Sequence, residues 1–248
     1  MKLSPLYILL IFIVLSACGT PERSIKRGDA AMAIGEYCEA AAQYKKGYSR
    51  IPPTDRKRRG EVAYKMGDAF RRYGNTARAL GAFRNAARYG QNDTLTQFYI
   101  GELLRMQGDY RGAEKAYQTY LDSFPSDERA RQMLQSLSEA TGIKERGSAY
   151  TVKMETMFSG SRSDYAPAYN GDEATTLYFS TTRPAVTGSD LSGITGMKPG
   201  DIYMVRKDEK GKWKAPEPDE GGLNTENDEG ATAFSSEGKT MNNHRYRT

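Results

Sequence analysis

The sequence predicts an α + β protein whose helices and strands lie in separate domains. Three observations predict this fold class: glycines recur at a regular spacing in the first half, the apolar residues change from a helical to an alternating period near Ala149, and the charge balance changes at the same place. Residues 19–148 carry 23 basic and 16 acidic side chains, whereas residues 149–248 carry 12 and 15. A basic helical half therefore precedes a slightly acidic half rich in strands.

The first 17 residues have the features of a secretion signal. Lys2 precedes an uninterrupted apolar run, Leu6–Leu15, which is shorter than the roughly 20 residues needed to span a bilayer. The run leads into Leu-Ser-Ala-Cys, which resembles the lipobox of bacterial lipoproteins. The resemblance implies a signal peptide over residues 1–17, acylation of Cys18 and a lipidated linker over residues 18–23. The alternative is an ordinary signal peptide followed by a chance cysteine.

The residue after the cysteine predicts which membrane holds the lipid anchor. Gly19 stands where the inner-membrane retention signal of lipoproteins has Asp, so we expect the outer membrane, with the protein lipid-anchored on the periplasmic face. Lipid bound through acylated Cys18 is then one partner, because two or three acyl chains hold a protein stably. Nucleic acid is not expected in that compartment. We interpret the basic cluster Arg56–Arg59 as an exposed segment between repeats, with weak contact to lipid headgroups or to a partner as the alternative.

A repeat with glycines at fixed positions occupies residues 24–142. Each copy has two glycines seven residues apart, an alanine five residues after the second glycine, and an aromatic residue nine residues after it. The second and third copies are offset by 34 residues, a pattern that resembles the tetratricopeptide repeat. The resemblance implies paired helices that form an α-solenoid. The first glycines are Gly28, Gly67 and Gly101, the second are Gly35, Gly74 and Gly108, and the aromatic residues are Tyr44, Phe83 and Tyr117.

A further amphipathic segment follows the third repeat. Residues Asp127 to Ala140 have apolar side chains at helical spacing, with Ser126 as the expected N-cap and Gly142 as the expected stop. A repeat stack needs a terminal helix with a polar outer face, so this segment is predicted to be the cap helix.

The predicted solenoid has a concave face formed by the first helix of each pair. Aromatic residues and arginines are common anchors of protein interfaces, so their presence there predicts a partner-binding surface. The alternative is a solvated charged face that binds nothing. The candidate partner-binding residues are Tyr64, Asp68, Arg71, Arg72, Phe98, Glu102 and Arg105.

The second half has short alternating runs between turn-forming residues. Strands are expected at Tyr150–Met157, Thr175–Thr181, Asp201–Lys207 and Lys212–Ala215. The order of the motifs Asn-Gly-Asp-Glu, Thr-Leu-Tyr-Phe-Ser-Thr and Gly-Asp-Ile-Tyr resembles the TolB-like, WD-related β-propeller repeat. Trp213, the single tryptophan, is expected to pack within a propeller blade.

The length of the second half limits this resemblance. A propeller needs at least four blades of about 40 to 45 residues, and fewer than three fit after Ala149. The sequence therefore predicts an incomplete β-propeller over residues 150–241. Residues 242–248 do not continue the repeat and are interpreted as the aberrant tail of a truncated or frameshifted product.

The order of lipobox, tetratricopeptide repeats and propeller repeats is similar to that of PorE-type periplasmic lipoproteins of type IX secretion. The resemblance implies a non-enzymatic, outer-membrane-anchored scaffold or adaptor of a protein secretion or gliding apparatus, which binds periplasmic or secretion-system proteins through its helical repeats. The family continues with an OmpA-like domain that binds peptidoglycan, so peptidoglycan is a partner only if the full-length protein has that domain.

The composition argues against the common classes of enzyme. With two cysteines and one histidine, a Cys/His zinc cluster cannot be assembled, and a catalytic triad would depend on His244. We therefore expect no catalytic residues, no metal and no cofactor. Two alternatives remain: a solute- or peptide-binding nutrient-uptake lipoprotein, and the propeller part of a prolyl-oligopeptidase-like peptidase. The latter lacks the Gly-x-Ser-x-Gly nucleophile motif.

Overall fold

The computed structural model describes residues 20–90, 95–147, 149–171 and 174–246. They form a helical unit and a β unit, which divide near residue 148. The predicted signal peptide and the lipidation site Cys18 lie outside the described residues.

The helical unit is a solenoid of three helix pairs and a final helix. Each helix packs mainly on the helices before and after it in the chain, as the repeat pattern predicts. The described helices are α1 (Pro21–Ala33), α2 (Tyr37–Tyr48), α3 (Arg56–Arg72), α4 (Thr76–Arg88), α5 (Thr96–Met106), α6 (Tyr110–Ser123) and α7 (Glu128–Arg146).

Each pair is joined by the same glycine turn. At the end of α3, Gly74 has a φ of 84°, a left-handed conformation that favours glycine. The N–H of Asn75 then donates to the carbonyl of Phe70 at 2.9 Å, which is the long bond of a Schellman motif. Equivalent bonds close the turns at Gly35 and Gly108, so the second glycine of each repeat ends the first helix.

The first glycine of each repeat lies beneath an aromatic ring of the second helix. A Cβ atom added at Gly101 would lie 2.7 Å from Cε1 of Tyr117, and one added at Gly67 would lie 3.0 Å from the ring of Phe83. Both rings have no exposed surface. The paired helices therefore approach closely at these glycines, and a side chain larger than hydrogen would separate them.

Helix α7 differs from its predicted boundaries at both ends. Its N-cap is Asp127, not Ser126, because the Asp127 carboxylate accepts hydrogen bonds from the N–H groups of Arg129 and Ala130. The helix also continues through Gly142 to Arg146. A glycine inside a helix costs only about 1 kcal/mol, whereas Gly147 has a φ of 72° and ends the helix.

Two other boundaries are corrected. Helix α1 begins at Pro21, so residues 21–23 are helical and not part of a linker. Proline in the first turn loses no intrahelical hydrogen bond, which explains the early start. The basic cluster Arg56–Arg59 is the first turn of α3, capped by Asp55, and not an exposed segment between repeats.

The β unit contains two open antiparallel sheets rather than a closed propeller. The strands are β1 (Asp164–Tyr169), β2 (Thr176–Thr181), β3 (Asp201–Arg206), β4 (Glu217–Pro218), β5 (Asp228–Phe234) and β6 (Met241–Tyr246). One sheet has the order β1-β2-β3-β4, and the other pairs β5 with β6. Apolar side chains of β2 and β3 form the core of the four-stranded sheet, with Leu177 opposite Val205, and Trp213 packs against this core.

Three predictions for the β unit are wrong. The segment Tyr150–Met157 forms no strand, because it has no partner strand among the described residues. Lys212–Ala215 contributes only an isolated bridge between Trp213 and Lys207. Residues 242–246, which the sequence analysis interprets as part of an aberrant tail, belong to strand β6, which a turn after Ser235 pairs with β5.

The helix contact at Gly101 gives a test of the solenoid. We expect Gly101→Ala to destabilise the helical unit by about 1–3 kcal/mol, because the new methyl group would overlap the Tyr117 ring. Gly81→Ala is the matched control: Gly81 is in the interior of α4 with nothing within 4 Å, so alanine should stabilise by up to about 1 kcal/mol. Denaturant unfolding followed by circular dichroism measures both, and equal effects would contradict the packing.

Candidate protein-binding face

The first helices of the three pairs contribute one continuous polar and aromatic surface. Lys65 of α3 donates to Asp29 of α1 at 2.7 Å, and the ring centroid of Tyr64 lies 6.4 Å from that of Tyr99 on α5. These contacts join α1, α3 and α5. We name the central part of this surface the α3–α5 face and define it by Tyr64, Asp68, Arg71, Arg72 and Tyr99.

Four of the predicted residues meet on α3 because they recur about every four residues along the helix. Asp68 accepts hydrogen bonds from two guanidinium groups: Nη2 of Arg71 at 2.7 Å and Nε of Arg72 at 2.9 Å. The Asp68 side chain is 16% exposed, and that of Arg72 is 44% exposed. The carboxylate therefore orients both arginines, while one of them remains accessible to a partner.

The aromatic part of the face is held by packing. Tyr64 contacts Phe83 with ring centroids 5.6 Å apart, and Tyr99 contacts Phe83 at 5.2 Å. The Arg71 guanidinium lies 4.3 Å from the centroid of Tyr99, a cation–π distance. Burial, followed by the influence of Tyr99 and Asp68, raises the pKa of Tyr64 to about 12. The contacts with Phe83 and Tyr99 restrain the Tyr64 ring.

One candidate residue is misplaced by the sequence analysis. Phe98 is 6% exposed, with its ring between Tyr117 and Tyr120 and under the guanidinium of Arg129. It occupies the same repeat position as half-buried Tyr64, but α6 and α7 close over it. Phe98 is thus a core residue and not a partner-binding residue.

Tyr99 is the residue that the sequence analysis missed. It is half-buried and faces the Arg71 guanidinium, one residue beyond the position chosen. Tyr99 aligns in the 34-residue repeat with Lys65 and not with an aromatic residue, so the repeat gave no signal for it. The available signal was that Phe98 and Tyr99 are adjacent aromatic residues on one helix. Neighbouring residues of a helix point in different directions, so if the first is buried the second can face outward.

Glu102 and Arg105 are on the same helix as Tyr99 but apart from the Asp68 group. Glu102 is half-buried and Arg105 is exposed. Both influence the hydroxyl of buried Tyr117. Burial raises the pKa of that hydroxyl, Arg105 lowers the pKa, and Glu102 raises it. Neither forms an ion pair with another described residue, so no ion pair fixes the position of either side chain.

The remaining reactive groups have structural surroundings. Burial, and then Glu39, raises the pKa of the Cys38 thiol, which disfavours the reactive thiolate. Within the described ranges, no three His, Cys, Asp or Glu side chains are grouped to hold a metal ion. No helix in the described part of the chain has both the length and the apolar composition needed to cross a membrane.

Part of the helical unit matches a known repeat family. The match is to the tetratricopeptide repeat and covers residues 64–128. The match runs from α3 to the first residue of α7, and it contains every residue of the α3–α5 face. The helical unit is a tetratricopeptide-like solenoid of seven described helices, a fold that is typically a non-enzymatic protein-interaction scaffold. No curated protein matches the chain significantly in sequence.

Several solved structures show a partial likeness to about half of the chain. The first tetratricopeptide domain of Spaghetti (RPAP3), bound to the HSP90 peptide SRMEEVD, has 20% identity and a TM-score of 0.44, over 50% of this chain and 94% of that chain. MamA has 20% identity and a TM-score of 0.47, over 54% and 75%. The Sgt2 tetratricopeptide domain from Aspergillus fumigatus has 18% identity and a TM-score of 0.44, over 57% and 91%.

The pKa of Tyr64 predicts how stability depends on pH. In the unfolded chain the pKa of a tyrosine is about 10, whereas burial in the folded chain raises the pKa of Tyr64 to about 12. Above about pH 10 the unfolded state therefore binds fewer protons, so the free energy of unfolding should fall as the pH rises towards 12. We expect Tyr64→Phe to reduce this fall, measured by urea unfolding at several pH values. An unchanged fall in the Tyr64→Phe variant would contradict the burial argument.

Proposed function

We propose that the protein is a non-enzymatic, lipid-anchored scaffold that binds a partner protein on the α3–α5 face of its tetratricopeptide-like unit. Tetratricopeptide repeats generally mediate protein–protein interaction, which supports an adaptor role. The observation that carries the proposal is the face itself, where ordered tyrosines and arginines from neighbouring first helices are together and partly exposed.

The chemistry of the face suits a protein surface. Interface anchors are most often aromatic residues and arginines whose conformation is fixed before binding, since little side-chain entropy is then lost. Tyr99 and Arg71 meet this condition because each restrains the other, and Asp68 restrains the arginine again. The alternating charges of Asp29, Lys65 and Asp68 favour a partner with both charges over a small apolar solute.

The proposed location is the periplasmic face of the outer membrane, in a protein secretion or gliding apparatus. The Leu-Ser-Ala-Cys sequence before Gly19 and the order of the repeats support this context. Periplasmic or secretion-system proteins are then the class of partner. Peptidoglycan would be bound only through an additional OmpA-like domain.

The face is tested by charge reversal with a matched control. We expect Arg72→Glu with Arg105→Glu to slow partner association by about tenfold and to change its salt dependence, since both arginines are exposed on first helices. Arg84→Glu with Arg111→Glu changes the net charge equally on the second helices and should have little effect.

The readout is surface plasmon resonance with the partners that the unmodified protein captures from envelope extracts. Tyr99→Ala should instead speed dissociation, because it removes an anchor from the face. Equal loss in both arginine pairs, or unchanged binding in all variants, would place the binding site elsewhere.

Lipidation is tested separately. Cys18→Ala should move the protein from the detergent phase to the aqueous phase in a detergent partition assay, because the acyl chains supply the membrane affinity. Cys38→Ala, the substitution of the other cysteine, should leave it in the detergent phase. Retention of the Cys18→Ala protein in the detergent phase would contradict the proposal that the protein is a lipoprotein.

A further inference from the structure

The ends of three helices converge on one edge of the helical unit. The last turn of α2, the first turn of α3 and the last turn of α4 contact one another there: Arg59 lies 4.3 Å from the ring centroid of Tyr48, and Nη2 of Arg56 donates to the carbonyl of Arg88 at 3.0 Å. All but one of the basic residues here are exposed. We name this surface the basic edge and define it by Lys45, Lys46, Arg56, Lys57, Arg59 and Arg88.

Three arginines of the basic edge lie close together around one tyrosine ring. Three guanidinium groups lie around the ring of Tyr89, with Arg56 at 5.4 Å, Arg59 at 5.5 Å and Arg88 at 5.2 Å from its centroid. No described carboxylate is within 4 Å of these three arginines, whereas neighbouring Arg58 pairs with Glu22. Like charges repel at such distances, so the arrangement favours an anion.

The same edge holds the beginning of α1. Arg58 pairs with Glu22 at 2.6 Å, and Nη1 of Arg50 lies 3.4 Å from the hydroxyl of Ser24. Both contacts reach the first turn of α1, which begins at Pro21. Cys18 is three residues before Pro21 in the sequence, and a chain extends at most about 3.5 Å per residue. An anchor at Cys18 would thus lie within about 10 Å of this turn.

We infer that the basic edge rests on anionic phospholipid headgroups of the membrane to which the chain is anchored. The inference rests on the proposed lipidation of Cys18, which would bring headgroup phosphates next to the edge. Guanidinium and ammonium groups donate hydrogen bonds to phosphate oxygens and gain from the negative surface potential. The arginines around Tyr89 donate to neutral acceptors within the helical unit, and the phosphates would supply the negative charge that no described carboxylate provides within 4 Å.

The headgroup contact can be measured without acyl chains. The chain from Gly19 to Thr248 contains every described helix and strand, and its flotation with vesicles measures membrane binding without the acyl chains. We expect it to bind phosphatidylcholine vesicles containing phosphatidylglycerol and not pure phosphatidylcholine vesicles. Binding should weaken between low salt and about 0.15 M salt, because ions screen surface charges.

The variant Lys45→Glu, Lys46→Glu, Lys57→Glu should lose about tenfold or more of this binding. All three lysines are exposed, and circular dichroism should show an intact fold. The control Lys210→Glu, Lys212→Glu, Lys214→Glu alters the net charge equally at exposed positions of the β unit and should retain binding.

Equal loss in the two triple variants would overturn the inference, since it would report net charge and not the edge. Equal binding to vesicles with and without phosphatidylglycerol would also overturn the inference. Neither result depends on the fate of Cys18→Ala in the detergent assay, so failure of the headgroup contact and failure of lipidation are distinguishable.

Discussion

The contact between a glycine of one helix and an aromatic ring of the next is the constraint on which the helical unit depends. At Gly28, Gly67 and Gly101 the absent side chain lets the paired helices approach until the ring fills the space between them. The distance set by this contact brings successive first helices close enough for Lys65 to reach Asp29 and for Tyr99 to reach Tyr64. The α3–α5 face therefore follows from the repeat, since its members come from helices that meet only at this spacing.

The sequence predicted correctly those parts of the fold in which a single local feature decides the structure and no nearby residue favours a different one. A left-handed glycine ends α1, α3 and α5, and nothing nearby competes with it. At α7, Ser126 and Asp127 are both good N-caps, and the ionised side chain forms the stronger hydrogen bonds. The alternating segment Tyr150–Met157 has the pattern of a strand, but a strand also needs a neighbour, and periodicity alone does not report one.

The candidate site was predicted in part for a related reason. Helical spacing along α3 correctly grouped Tyr64, Asp68, Arg71 and Arg72, because all four belong to one helix. Which aromatic residue of α5 faces outward depends instead on α6 and α7, which cover Phe98 and leave Tyr99 accessible. A repeat alignment assigns the same role to the same position in every copy. It therefore does not show that α7, which packs after the last repeat, changes which aromatic residue of that repeat is buried.

The two polar surfaces of the helical unit differ in how their charges are balanced. On the α3–α5 face Asp68 neutralises two arginines, whereas the arginines around Tyr89 on the basic edge have no described carboxylate within 4 Å. The first surface is suited to the mixed charges of a protein, and the second to a surface of one charge. Helix geometry separates them: Tyr64 and Arg72 lie about 12 Å and 24 Å along α3 from Arg56, at 1.5 Å per residue. With the basic edge on the headgroups, a partner protein could therefore occupy the face above the membrane without displacing the contact that holds the scaffold to it.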